Sequence, residues 1–110
     1  MMYSSKDINN IADIILRKMS NVVSIYLFGS YAKGTARDDS DIDIAILLKK
    51  LPDWRERKNV LNQIYNEAGA FNYNVDFLIK SKESFESEKT LPTLSRVIER
   101  EGKLLWTKSA

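Results

Sequence analysis

Apolar residues recur along this chain at helical spacing in some segments and at strand spacing in others. The first helical stripe predicts an amphipathic helix with Ser4 or Ser5 as its cap, and its apolar positions are Ile8, Ile11, Ala12, Ile15, Leu16 and Met19. A second stripe predicts a helix that Asp53 caps and Gly69 ends, with Val60, Leu61, Ile64, Tyr65 and Ala68 on its buried side. Pro92 fits the first turn of a last helix, Thr93 to Arg100, which Gly102 stops.

Strand-like runs alternate with these helices. Residues 21–28, 41–48 and 72–79 are apolar and rich in β-branched side chains, and residues 104–106 suit a final short strand. Residues 80–90 are polar and are predicted to be a loop with a helical turn. The connection between the first and second strands is too short for a crossover helix, so these two strands should be antiparallel. The connection between the second and third strands is long enough for one, so these two strands can be parallel. We therefore predict an α/β (α+β) fold, a small mixed sheet with helices packed on it, in one domain over residues 1–110.

Two aspartates open the second predicted strand. Asp41 and Asp43 alternate with Ile42 and Ile44, so both carboxylates should lie on one face, roughly 7 Å apart at the backbone. Side chains of that reach can converge on one divalent cation, which would favour the ionised form of both. The alternative is that both are solvated at the exposed start of the strand.

A third acid, Asp76, lies between Val75 and Phe77 in the next predicted strand. If that strand lies beside the second, Asp76 could reach the same ion or take a proton from an attacking hydroxyl. The alternative is an aspartate at a sheet edge, exposed to water.

A Gly29-Ser30 pair ends the first predicted strand. Glycine permits a tight turn, and a short helical turn after it would direct free N–H groups at an anion. The Ser30 hydroxyl can donate to a phosphate oxygen, Lys33 or Arg37 could neutralise charge, and Gly34 could end the turn. Neither a P-loop nor a dinucleotide-binding glycine motif is present.

The order Gly29-Ser30, then Asp41-x-Asp43, resembles the signature of the DNA polymerase β-like nucleotidyltransferase superfamily, which has a palm-like fold. The run from Gly29 to Ala36 is most similar to the minimal nucleotidyltransferases, the MNT family, which resemble the catalytic half of kanamycin nucleotidyltransferase. Many are antitoxins that transfer AMP to a tyrosine of a HEPN-domain toxin, as in type VII toxin–antitoxin pairs.

The resemblance implies a role for each matching position. Asp41 and Asp43 would be metal ligands, Asp76 the third carboxylate as ligand or general base, and Gly29, Ser30 and Lys33 would bind nucleotide. The family often has arginine where this chain has Lys33; lysine keeps the charge and loses bidentate phosphate contact. ATP would be the substrate.

Composition narrows the chemistry. The chain has no cysteine and no histidine, which excludes disulfides, Cys/His zinc sites and histidine-based nucleophile systems. Oxygen ligands favour Mg²⁺, with Mn²⁺ as the other choice. The net charge of +2 is too even for a broad nucleic-acid footprint. No apolar run is long enough for a membrane span and no signal-peptide core appears, so we expect a cytoplasmic protein.

The sequence thus predicts an Mg²⁺-dependent nucleotidyltransferase that moves AMP from ATP to an acceptor hydroxyl, a tyrosine of a HEPN toxin by resemblance. Homo- or hetero-oligomers are both compatible with it. One alternative is a non-catalytic antitoxin that neutralises its partner by forming a complex. The other is transfer to a small molecule; it ranks last, because dedicated antibiotic enzymes of this type carry a second helical domain.

Overall fold

The computed structural model of the chain describes residues 2–109. Its elements are α1 (Ser5–Lys18), β1 (Val22–Phe28), α2 (Ser30–Lys33), β2 (Ile42–Leu48), α3 (Trp54–Ala70), β3 (Val75–Ser81), α4 (Lys82–Glu88), α5 (Leu94–Glu101) and β4 (Lys103–Thr107). Helices and strands alternate as the hydrophobic pattern predicts, except that α4 and α5 follow one another between β3 and β4. The predicted single domain includes residues 1 and 110, which lie outside the described residues.

The strands form one mixed sheet in the order β3–β2–β1–β4. β1 pairs antiparallel with β2 and with β4, and β2 pairs parallel with β3. The β1–β2 connection holds only the one-turn helix α2, whereas the 17 residues of α3 are long enough to carry the chain back across the sheet. The predicted mixed sheet and both predicted strand directions are confirmed.

Helices cover both faces of the sheet. On one face, alternate β2 side chains join a core that includes α1 and α3, with Ile11, Ile44 and Ile64 fully buried. On the other face, Ala45 and Leu47 form a second cluster with Phe85 of α4 and Ile98 of α5. Asp43 is the one residue of β2 that is not buried. The second face is therefore partly open near the start of β2, and that opening exposes the carboxylate.

Side-chain caps start α1 and α3 where the sequence predicts them, and a side-chain cap also starts α5. Ser4 accepts from the Asp7 N–H, and the Asp7 carboxylate accepts from the Ser4 N–H, which forms a capping box at α1. Asp53 caps α3 by accepting from the Glu56 N–H. Thr93 caps α5 by accepting from the Arg96 N–H.

Three local predictions are wrong. Residues 80–90 are not mainly loop: β3 continues to Ser81, whose side chain caps α4. Gly69 does not end α3, because the helix runs on to Ala70 and the reversal is made at Asn72, which has φ +63°. Pro92 lies before the Thr93 cap and not in the first turn of α5. In the described residues, no helix has the length and apolar character that a membrane crossing requires.

Candidate active site

The turn between β1 and α2 has a conformation that only glycine adopts readily. Gly29 has φ +72° and ψ −154°. Its carbonyl accepts from the N–H groups of Ala32 and Lys33, at 3.1 Å each, which closes the single turn of α2. Gly34, at φ +77°, ends that turn in the left-handed conformation. The predicted glycine-bounded turn is therefore present, and the first N–H groups of α2 have no acceptor within the helix.

Asp43 lies directly against this turn. A Cβ built on Gly29 would lie 2.2 Å from Oδ2 of Asp43 and 3.1 Å from its Cγ. Real atoms do not approach so closely, so a side chain at position 29 would force the Asp43 carboxylate to move. The predicted phosphate-binding turn and the predicted acidic strand are thus in contact.

Asp43 and Asp76 are neighbours across the parallel pair of β2 and β3. Their Cα atoms are register partners, and adjacent strands lie about 4.8 Å apart. On the other side of Asp43, Phe28 is its register partner in β1. Directly paired residues project to the same face, so Asp43 is placed between the aromatic ring of Phe28 and the carboxylate of Asp76. The expectation that Asp76 lies level with the aspartate pair is confirmed.

Asp41 precedes β2 and is exposed, whereas Asp43 is half-buried within it. Burial raises the pKa of the Asp43 carboxyl, and the negative charges of Asp76 and Asp41 raise that pKa further. The three acids therefore lie close enough to act on one another electrostatically. A cation placed among them would lower the free energy of the ionised Asp43.

The donor set fits a hard divalent cation, because carboxylate oxygens are the ligands that Mg²⁺ and Mn²⁺ prefer. The side chains are not yet arranged for it: within residues 2–109, no three acidic, histidine or cysteine side chains form a group that could hold a metal ion. The backbone thus brings Asp41, Asp43 and Asp76 together, and side-chain rotation must complete any coordination. The metal-ligand roles of these residues stay predictions.

Lys33 pairs with a carboxylate in this structure, whereas the sequence predicts that it binds a phosphate. Its ammonium lies 3.8 Å from a carboxylate oxygen of Glu101, at the end of α5, and both side chains are half-exposed. Such an exposed pair contributes little and can exchange partners readily. A nucleotide-binding role for Lys33 stays a prediction and would require it to leave Glu101.

Two residues near the site were not predicted from the sequence. Phe28 borders Asp43, and its position directly before the glycine was an available signal. Tyr3 contacts Tyr31 of α2 and the segment before β3, 28 to 71 residues away along the chain. No local pattern in the sequence reveals such a contact.

Comparison with known proteins tests the predicted family. The family model described as "Polymerase beta, Nucleotidyltransferase" matches residues 9–110. The chain belongs to this family. Within it, the chain is similar to the protein adenylyltransferase MntA of Shewanella oneidensis, with 32% identity over 98 residues that cover 89% of this chain and 63% of that protein. The chain spans 46% to 64% of the length of three curated relatives from Methanocaldococcus jannaschii and Shewanella oneidensis.

Several solved structures are also similar to this chain. One is described as a toxin–antitoxin crystal structure with AMP-PNP; its matching chain is 30% identical, the match covers 91% of this chain and 73% of that one, and the TM-score is 0.64. Another is described as a tri-AMPylated Shewanella oneidensis HEPN toxin in complex with an MNT antitoxin, with 26% identity, 94% and 71% coverage and a TM-score of 0.61. The predicted family and the predicted fold are confirmed.

Proposed function

We propose that this chain is a nucleotidyltransferase that transfers AMP from ATP to an acceptor hydroxyl, a tyrosine of a HEPN-domain toxin for which it is the antitoxin. The contact of the Gly29 turn with Asp43, itself in register with Asp76, carries the proposal. Family membership supports the reaction class, and the relatives' names support a protein acceptor. The reaction belongs in the cytoplasm, where ATP is supplied.

The reaction is a displacement at phosphorus. The acceptor oxygen forms a bond to the α-phosphorus of ATP, and the bond from that phosphorus to the oxygen bridging to the β-phosphate breaks. Pyrophosphate leaves, and the hydroxyl proton passes to a carboxylate. Asp76 is suited to take it, because it is exposed on the strand next to Asp43 and an acceptor can approach it from solvent.

The turn after β1 would hold the phosphates. The Ser30 hydroxyl and the first N–H groups of α2 would donate to phosphate oxygens, and the missing side chain at Gly29 lets the Asp43 carboxylate lie directly against this turn. Lys33 would add a positive charge after exchanging Glu101 for phosphate.

Asp41 and Asp43 would hold Mg²⁺, or Mn²⁺, with Asp76 as the third oxygen donor. The bound cation would neutralise the negative charge that develops on the transferred and departing phosphates. This role also explains why an acid with a raised pKa lies beside two other acids at the open part of the sheet.

The test measures transfer of label from ATP labelled on its α-phosphate. The partner is co-purified with the chain from its native host and identified by mass spectrometry. We expect label on a partner tyrosine, and a loss of at least about a hundredfold in rate for Asp41→Asn with Asp43→Asn, since cation binding contributes several kcal/mol.

Asp39→Asn is the matched control, because it removes a like charge from the exposed turn that precedes the acidic pair. It should transfer at the normal rate. Normal transfer by the double variant would refute the catalytic assignment.

A non-catalytic antitoxin is the second candidate. It is supported by the solved relatives that are described as toxin–antitoxin complexes, since complex formation by itself can neutralise a partner. Under this alternative, Asp43→Ala leaves control of the partner intact, because complex formation alone suffices. Under the proposed reaction, Asp43→Ala releases the partner from control although the two proteins still bind each other.

A further inference from the structure

Tyr3, just before α1, makes hydrogen bonds to both segments that form the candidate site. Its phenol hydroxyl donates to the carbonyl oxygen of Asn72 at 2.9 Å and accepts from the N–H of Asn74 at 3.0 Å. Its main-chain N–H donates to the hydroxyl of Tyr31 at 3.2 Å. One residue near the N-terminus therefore contacts α2 and the segment that leads into β3.

The segment bound by the Tyr3 hydroxyl lies at the start of both acidic strands. The Asn74 carbonyl accepts from the N–H of Ile42 at 2.9 Å, and Ile42 stands between Asp41 and Asp43. Asp76 follows Asn74 by two residues. The hydroxyl also binds the carbonyl of Asn72, which holds a left-handed backbone at φ +63°. The position of this segment thus bears on all three acids through main-chain bonds.

The other contact reaches the phosphate-binding turn. Tyr31 directly follows Ser30 in α2, and its ring lies 6.1 Å from the ring of Tyr3, centroid to centroid. Helix α2 has only four residues and one turn of its own hydrogen bonds, so neighbours must fix its orientation. Tyr3 supplies such a neighbour through both its ring and its backbone.

We propose that Tyr3 is a positioning residue, which holds the Gly29–Ser30 turn and the starts of the two acidic strands in one fixed relation. The inference rests on the proposed function, since it concerns the geometry of AMP transfer. Tyr3 does not touch the reacting atoms. It acts because small displacements between a bound phosphate and the acids beside it reduce the rate steeply.

The variant Tyr3→Phe keeps the ring and removes the hydroxyl that binds Asn72 and Asn74. Tyr26→Phe is its matched control, because it also keeps the ring and removes one phenol hydroxyl. Tyr26 lies in β1, and its ring stacks on Phe85 of α4 at 5.9 Å between centroids, so the change is made away from the segment that leads into β3.

In the transfer assay, we expect Tyr3→Phe to lower kcat about tenfold and to change the KM for ATP less than about twofold. The reason is that the free energy lost from holding the site in place is about that of one hydrogen bond. Tyr26→Phe should keep the normal kcat. Tyr31→Phe removes the acceptor for the Tyr3 N–H and cuts the second link. If the two links act as one coupling between α2 and the segment before β3, the double variant Tyr3→Phe with Tyr31→Phe should transfer AMP no more slowly than the slower of the two single variants.

Amide hydrogen exchange gives a readout that does not depend on activity. Tyr3→Phe should speed exchange at Asn74 and Ile42 about tenfold, and Tyr26→Phe should leave both amides unchanged. Equal changes in Tyr3→Phe and Tyr26→Phe, multiplicative rate losses in the double variant, or unchanged exchange at Asn74 would each overturn the proposal. If the unaltered chain transfers no AMP while exchange responds as expected, the proposed function fails and the positioning contact of Tyr3 stands.

Discussion

At the scale of single residues, the arrangement of the site depends on Gly29. Its backbone lies in a region that is essentially limited to glycine, and Asp43 occupies the space that a Cβ would need. The backbone conformation is a local constraint, whereas the contact with Asp43 is a tertiary one. A glycine directly after a strand suggests the local constraint, but the contact depends on where β2 lies.

We expect Gly29→Ala to destabilise the fold by about 1–3 kcal/mol from backbone strain alone, and to reduce AMP transfer further because Asp43 must move. Urea unfolding measures the first effect and labelled-ATP transfer the second. Gly34→Ala is the control: Gly34 also has a positive φ, but nothing lies within 4 Å of the place that an added methyl group would take. Its transfer rate should stay near normal, and an equal loss in both variants would show that the Asp43 contact is irrelevant to activity.

At the scale of elements, Glu88 connects the strand and the two helices beside the site. Its carboxylate binds Lys80 of β3 at 2.7 Å and accepts from the buried Ser95 hydroxyl of α5 at 2.8 Å, while its carbonyl accepts from the Thr93 hydroxyl. The segment was predicted to be mostly loop because it is polar. Its polar side chains instead cap α4 and join it to β3 and α5, which a hydrophobic pattern does not report.

The Lys80 and Ser95 hydrogen bonds lower the pKa of Glu88 below its ordinary value of 4.5, so its contribution to stability is fully present above that value. As pH falls from 4.5 through the lowered pKa, Glu88 becomes protonated and its contribution to the stability of the native state is lost. Glu88→Gln should therefore lower the urea midpoint at neutral pH, and its difference from the unaltered chain should shrink in acid.

Glu86→Gln is the comparison for that measurement, since Glu86 pairs with Lys89 at the end of α4. It should change the midpoint less, because this pair joins no separate elements. A pH-independent difference between Glu88→Gln and the unaltered chain would contradict the assigned ion pair.

At the scale of the whole molecule, the sheet order brings the site together. β2 is central, with β1 antiparallel on one side and β3 parallel on the other, so the end of β1 meets the starts of β2 and β3. That meeting places the glycine turn and the three acids at one edge, and helices α4 and α5 cover the rest of the same face.

Binding of nucleotide should be visible as stability of the whole chain. With Mg²⁺ and a non-hydrolysable ATP analogue at about a hundred times the dissociation constant, we expect about 2.7 kcal/mol of added stability against unfolding. Removing the cation with a chelator should abolish most of this gain, as should Asp41→Asn with Asp43→Asn. Thermal or urea unfolding measures it, with Asp39→Asn expected to behave like the unaltered chain. A full gain in the double variant would contradict the assigned cation site.

The amino-acid sequence was enough to predict most of the helices and strands, the strand directions and the face of β2 that carries Asp43. These follow from local periodicity and from connection lengths, which act within a few residues. The packing of the elements sets the other contacts of the site: Asp43 fills the space beside Gly29, Lys33 pairs with Glu101, and Tyr3 joins α2 to the start of β3. Such contacts join residues far apart in the chain, and their distances are set by how the elements pack, which no local pattern encodes.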